Sequence, residues 1–261
     1  IILNVSKKSS RQAMSSTKLS VNVNKIALIR NSRGSNYPDL LQMCLDLEAY
    51  GADGITVHPR PDQRHIRYDD IPLLKKNIRT ELNIEGYPSD EFIQLVIDNT
   101  PAQVTLVPDP PGALTSDHGW DFVKNKDLLA NAIPLFINAG IRVSLFVDAD
   151  EDASSRAHDA GADRIELYTG PYAHQYAKGD KQSIHGHIAA SAKAKALGLG
   201  VNAGHDLNLD NLAFYKSSLL LLDEVSIGHA LIVDAMYYGY SNAIAMYLDR
   251  LKNPQHYHFP K

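Results

Sequence analysis

The chain has one cysteine, Cys44, in 261 residues. That excludes an intrachain disulfide framework and any zinc site built on several cysteines. It has no run of 18 apolar residues, so no segment is expected to cross a membrane as a helix. It lacks the basic excess of a nucleic-acid binder: 26 Lys and Arg face 30 Asp and Glu, for a formal net charge of −4. The first β-type run, LSVNVNKIALIRNSRG, carries no GxGxxG, which disfavours a dinucleotide-binding sheet. The phosphate-loop pattern GxxxxGK[ST] and the zinc-protease pattern HExxH are missing as well. The N-terminal stretch is polar and basic after its first residues and has no apolar signal-peptide core. The expected location is therefore the cytoplasm.

What is present is an ordinary globular mix, 44% hydrophobic and 21% charged, with short β-type runs alternating with helical periodicity. Strands are predicted over 19–24, 54–58, 83–86, 103–107, 142–148, 164–168, 200–203 and 223–227. Helices are predicted over 38–50, 69–80, 89–99, 127–139, 151–160, 183–197, 209–216 and 230–251, and 170–182 reads as a polar loop. Alternation of this kind means parallel strands joined by helical crossovers. Eight units in about 240 residues fit a closed (β/α)₈ TIM barrel, with an open doubly wound sheet as the alternative. The echo between AYGADGITVH and DAGADRIELY, each running helix end, Gly-Ala-Asp, strand, agrees with repeated units. Residues 1–17 read as a disordered extension, 18–252 as a single catalytic barrel and 253–261 as a frayed tail.

Barrels of this class place their chemistry at the C-terminal ends of the strands. Those ends carry Asn22, Asn24, Lys25, Arg30 and Arg33 after the first strand, and His58, Arg60, Arg64 and His65 after the second. Glu85 ends the third; Thr115 and Ser116 lie in the long loop after the fourth; Asp148 ends the fifth and Glu166 the sixth. Asn202 and His205 end the seventh, and Gly228 and His229 the eighth. Arginine suits bidentate capture of phosphate. Gly228 stands just before a helix start, where backbone amides favour an anion. Each residue also has a bland reading: a solvated basic loop, a turn glycine, a structural histidine. His58, His205 and His229 together would also suit a three-histidine metal, although no metal is expected.

The segments VNVNKIALIRNSRG, GADGITVHPRPDQRHI, NIE, LVP, GIRVSLFVDAD, IELYTG, LGVNAGH and IGHA, in this order, resemble the pyridoxine 5′-phosphate synthase family over residues 19 to 250. The resemblance implies a (β/α)₈ barrel with extra helices, assembled as a homo-octamer, with no organic cofactor and no metal. It implies condensation of 1-deoxy-D-xylulose 5-phosphate with 3-amino-2-oxopropyl phosphate to pyridoxine 5′-phosphate, phosphate and water. His58, Glu85 and His205 match the family's catalytic positions. Asn22, Arg33, Arg60, His65, Thr115, Gly228 and His229 match its ligand-binding positions, and Arg30 and Glu166 match residues lining the site. Two departures stand out. Asn24 and Lys25 replace an Asp-His pair, and Asp206 stands where the family commonly has glycine; all three are carried as substrate-binding candidates.

An amine attacking a ketone, followed by dehydrations and loss of phosphate, is proton traffic throughout. Histidine and a partly buried glutamate suit such work. On this reading His58 and Glu85 accept protons and His205 donates one as water leaves. Lys25 binds without forming an imine, because the substrate brings its own amine. Two other functions fit the residues less well: a phosphosugar isomerase or aldolase, and a non-catalytic phosphometabolite binder that would need no acid/base trio.

Overall fold

The computed structural model describes residues 16–109 and 117–257. Eight parallel strands close into a barrel in sequence order, each hydrogen-bonded to its neighbours and β8 to β1. They are β1 (Lys18–Asn22), β2 (Gly54–Val57), β3 (Glu81–Gly86), β4 (Gln103–Leu106), β5 (Arg142–Val147), β6 (Arg164–Leu167), β7 (Gly200–Gly204) and β8 (Glu224–Ile227). The TIM barrel expected from the sequence is therefore the fold, and the open sheet is excluded.

The strands alternate apolar and polar residues, and the register shows why. Leu19, Val21, Ile55, Val57, Ile84 and Val104 face outward and are fully buried under the helices. Ser20, Thr56, Asn83 and Thr105 take the opposite parity and face the barrel axis. There they bond to one another: Ser20 Oγ lies 2.7 Å from Thr56 Oγ1, and Thr105 Oγ1 donates to Asn83 Oδ1 at 3.1 Å. At the N-terminal end of the same lumen Glu81 is held by Lys18 and Arg142. Burial opposes its ionisation, but the two cations prevail and lower its pKa to about 2. Continued one step toward the C-terminal mouth, the inward parity delivers Asn22, His58, Glu85, Glu166, Gly204 and Gly228. The site residues are thus the top layer of a polar core.

Among the described residues eleven α-helices surround the barrel. They are α1 (Asn24–Asn31), α2 (Leu40–Ala49), α3 (Asp70–Asn77), α4 (Asp90–Asn99), α5 (Lys126–Asn138), α6 (Glu151–Asp159), α7 (Gly170–Tyr176), α8 (His185–Leu197), α9 (Leu212–Ser218), α10 (His229–Tyr238) and α11 (Tyr240–Lys252). Ser89 caps α4 as its sequence suggests, its side chain accepting from the Phe92 amide at 3.3 Å.

Two helices replace segments read otherwise in the sequence. The first strand ends at Asn22, not Asn24, because Asn22 Oδ1 accepts from the Asn24 amide at 3.1 Å and turns the chain into α1. The 170–182 stretch contains α7, opened by Pro171 in its first turn. Its polar composition hides Tyr172, fully buried against the rings of His187 and Tyr215. The closing segment 230–251, read as one helix or more, is two, α10 and α11, divided at Gly239.

Most of the expected N-terminal extension, residues 1–15, lies outside the described residues. Thr17 is buried and donates to the Leu222 carbonyl at 2.6 Å. At the other end, a short 3₁₀ turn over Pro254–His256 brings Tyr257 onto Asp249 and Arg250. Among the described residues no helix is long and apolar enough to cross a membrane.

Candidate active site

The barrel mouth holds a cavity of about 310 Å³. Its walls bring together eleven of the thirteen catalytic and substrate-binding candidates: Asn22, Asn24 and Lys25 from the β1–α1 junction, and His58, Arg60 and His65 from the segment after β2. Glu85 comes from β3, His205 and Asp206 from the turn after β7, and Gly228 and His229 from the β8–α10 junction. Glu166, Val107, Phe146 and Ser226 complete the lining.

Each wall has a local cause. The β1–α1 junction is welded to β2: the His58 amide donates to Asn24 Oδ1 at 2.9 Å, and the Val23 amide to the Thr56 carbonyl at 3.0 Å. Asn24 performs a task that needs an acceptor oxygen and no charge. Asn22 Nδ2 donates to Glu85 Oε2 at 3.2 Å, and a Cβ at residue 228 would stand 3.1 Å from Asn22 Cβ. Glycine there lets Asn22 lean across to Glu85. Gly204 serves Glu166 in the same way, since its Cβ would meet the Ser226 carbonyl at 2.6 Å and Glu166 Oε1 at 3.0 Å.

The loop after β2 is clamped from α1. Buried Arg30 grips Asp70 at the start of α3 with two bonds of 2.6 and 2.9 Å, and also donates to the His65 carbonyl at 3.1 Å. Asn31 Nδ2 donates to the same carbonyl at 2.7 Å. Arg30 therefore supports the loop from beneath and does not line the cavity, a correction to its placement by resemblance. Arg33 is exposed just beyond α1 and outside the cavity wall. The reason is the helix: from Asn24 to Asn31 it carries the chain roughly 10 Å away at 1.5 Å per residue. Thr115, like Ser116, lies outside the described residues. Asp109, which the sequence reading passed over inside PDPPG, is buried and takes Arg60 Nη2 at 3.0 Å. Only the tertiary pairing marks it.

Charges are set by burial and neighbours. His58 Nδ1 lies 4.0 Å from Glu85 Oε2. Burial, then the cations of Arg60 and Arg64, push the His58 pKa well below its ordinary value, so the ring is neutral. Burial, Arg64 and Arg60 lower His65 to about 4, and its Nδ1 accepts from the Ile66 amide at 2.9 Å. Glu85 moves the other way: burial and the Glu166 carboxylate raise it well above the usual carboxylate range against the pull of Arg60. Burial and Glu224 raise Glu166 to about 7. Burial alone would lower His205, but the hydrogen bond and charge of Asp206, helped by Glu166, outweigh it and raise the pKa. The cavity therefore holds a neutral histidine beside a carboxyl poised to become a strong base, with a readily protonated histidine across the mouth. Among the described residues no group of His, Cys, Asp and Glu is arranged to hold a metal, so His58, His205 and His229 do not form the three-histidine set considered above.

The family model described as pyridoxal phosphate biosynthesis protein PdxJ matches residues 19–253. The chain belongs to that family. Among curated relatives it is 57% identical over 236 residues to a pyridoxine 5′-phosphate synthase of Cytophaga hutchinsonii, covering 90% of this chain and 99% of the relative. It is 55% identical over 235 residues to the protein of the same name from Porphyromonas gingivalis, with the same coverage. Solved structures add the fold alone. Phosphoribosylanthranilate isomerase of Thermotoga maritima aligns at TM-score 0.57 and 14% identity, over 90% of this chain and 98% of that one. Tryptophan synthase of M. tuberculosis aligns at TM-score 0.61 and 13% identity, over 90% of this chain and 93% of that one. The PdxJ family membership removes the isomerase, aldolase and passive-binder alternatives.

Proposed function

We propose that the chain condenses 1-deoxy-D-xylulose 5-phosphate with 3-amino-2-oxopropyl phosphate to give pyridoxine 5′-phosphate, phosphate and water, by acid/base catalysis without metal or organic cofactor. The observation that carries this reading is the placement of Glu85 and His58 on one wall, and His205 on the opposite one, of a cavity flanked by anion-binding groups. β3 and β7 stand four places apart around the ring, so a substrate between them meets a base on one side and an acid on the other. Glu85, once ionised, is a strong base because its pKa is raised, and it takes the proton lost on tautomerisation. Neutral His58, 4.0 Å from Glu85, accepts a second. His205 protonates the departing hydroxyl.

Two phosphorylated substrates need two anion sites. One is the start of α10, where the Gly228–His229 junction opens onto the cavity. The other is the side lined by the cations of Lys25 and Arg60, with the neutral His65 ring beside them. The deciding experiment supplies both substrates to the purified chain without added metal and follows pyridoxine 5′-phosphate. Its failure to appear from folded protein sinks the reading.

A homo-octamer in the cytoplasm belongs to the same proposal and rests on the family resemblance. Sedimentation at micromolar concentration is expected to give an assembly; a mass equal to one chain would refute it. Gly228→Ala probes the α10 site. The new methyl meets Asn22 Cβ at 3.1 Å and the Asn22 carbonyl at 3.3 Å, displacing a residue that orients Glu85. A misplacement well under 1 Å is expected to raise KM about tenfold and lower kcat as well, with little change in Tm. Unaltered kinetics would remove this junction from the site.

A further inference from the structure

His205 is held in an unusual way. Its backbone lies in the left-handed region at φ 66°, which a non-glycine residue occupies at a cost of order 1–3 kcal/mol. The surrounding chain enforces it. Buried Thr169 uses one hydroxyl on both sides of His205, donating to the Gly204 carbonyl and accepting from the Asp206 amide, the latter at 3.3 Å. Asn211 Nδ2 donates to the Asp206 carbonyl at 3.2 Å. The result of this bracing is that the Asp206 carboxylate meets His205 Nδ1 at 2.6 Å, while the Tyr168 ring lies edge-on to the imidazole at 5.6 Å between centroids.

We propose that Asp206 is a positioning residue that fixes the His205 ring by Nδ1 and supplies its counter-charge, so that Nε2 acts as the proton donor when water leaves the condensing substrate. With Nδ1 committed to the carboxylate, proton transfer falls to Nε2. In that step the Nε2–H bond breaks and an O–H bond forms on the departing hydroxyl. The C–O electron pair leaves with the oxygen as water, and the substrate's own nitrogen lone pair makes good the carbon. The imidazole is left neutral against Asp206 and is recharged by a proton from solvent.

Asp206 is not alone around the ring. Glu166 and Tyr168 face it from β6 and its end, Asp109 from the segment after β4, and His174 and His229 lie on the α7 and α10 sides of the adjoining surface. The carboxylates among them act in the same direction as Asp206 and are more distant. The contact at 2.6 Å, braced from Thr169, therefore makes Asp206 the strongest of the charged neighbours acting against burial of the ring. Both members are partly open to solvent, so the pair serves orientation and protonation more than folding stability.

The proposal rests on the condensation reading, and the test separates the two. The pH dependence of kcat is measured for the full chain, for Asp206→Asn and for Asp206→Glu, alongside an NMR titration of the His205 imidazole identified by its loss in His205→Gln. A general acid is lost as pH rises through its pKa, so removing the carboxylate is expected to move the alkaline limb of kcat down by about one pH unit. At pH 8 the Asn variant should lose about tenfold in kcat, at pH 6 less than about threefold, with KM little changed and Glu restoring most of the loss. The His205 titration should move down by a similar amount. An unmoved alkaline limb with raised KM overturns the proposal in favour of direct substrate contact. An equal loss at every pH with a lowered Tm overturns it in favour of a purely structural role. A parent protein that makes no pyridoxine 5′-phosphate sinks the condensation reading, whereas an unmoved His205 titration sinks the Asp206–His205 pairing whatever the activity.

Discussion

Glu85→Gln is expected to lower kcat by 10²–10⁴-fold, the usual contribution of a positioned acid/base group, with a much smaller change in KM. The amide keeps the size of the side chain and its place beside Asn22 Nδ2, 3.2 Å away, but cannot accept the substrate proton. Stability should change in the opposite sense. In the unfolded chain a glutamate ionises near pH 4.3. In the folded barrel burial and Glu166 hold the Glu85 proton to a higher pH. Between those two values the folded state binds more protons than the unfolded one, so stability falls as pH rises. Glutamine removes that fall, and Tm at pH 8 should stay level or increase. Steady-state kinetics and a melting curve on one variant decide the matter. A Tm loss with kcat within a few-fold of the parent would make Glu85 a structural strut.

The second large effect concerns a pair that never touches substrate. Asp70→Ala strips the partner from Arg30, which is 2% exposed. Leaving a buried charge uncompensated costs about 3–5 kcal/mol, and at roughly 2–4 °C per kcal/mol for a chain of this size the expected fall in Tm is about 6–20 °C. Asp70 also accepts from the Arg67 amide at 2.7 Å, and Arg30 holds the His65 carbonyl. The loop carrying His65 should therefore loosen and KM for the phosphorylated substrates should rise. Asp152→Asn, which breaks the exposed Arg156 pair on α6, serves as the control and should leave both Tm and KM where they were. Equal, small effects from the two variants would show that the clamp under the loop does not support it.

The alternation of apolar and helical runs sufficed to count eight β/α units, because parallel strands covered by helices leave a strong period in the chain. Strand-end chemistry was equally legible: His58, Glu85, His205, Gly228 and His229 each end or follow a β-type run, and closure of the barrel brings them to one mouth. Helix starts with a side-chain cap, such as Ser89, could be read one residue at a time. Contacts between residues distant in sequence could not. Asp109 matters because Arg60 lies against it 49 positions away in the chain, and Asp70 because Arg30 reaches it across 40. Arg33 reads as a rim residue in the sequence, and only the fold shows α1 carrying it outside the cavity wall of its own chain. The charge states also belong to the fold. The sequence names a glutamate and two histidines, whereas burial, the Arg60 cation and the Asp206 carboxylate decide which of them holds a proton, because desolvation and Coulomb energy depend on separations that exist only once the barrel has closed.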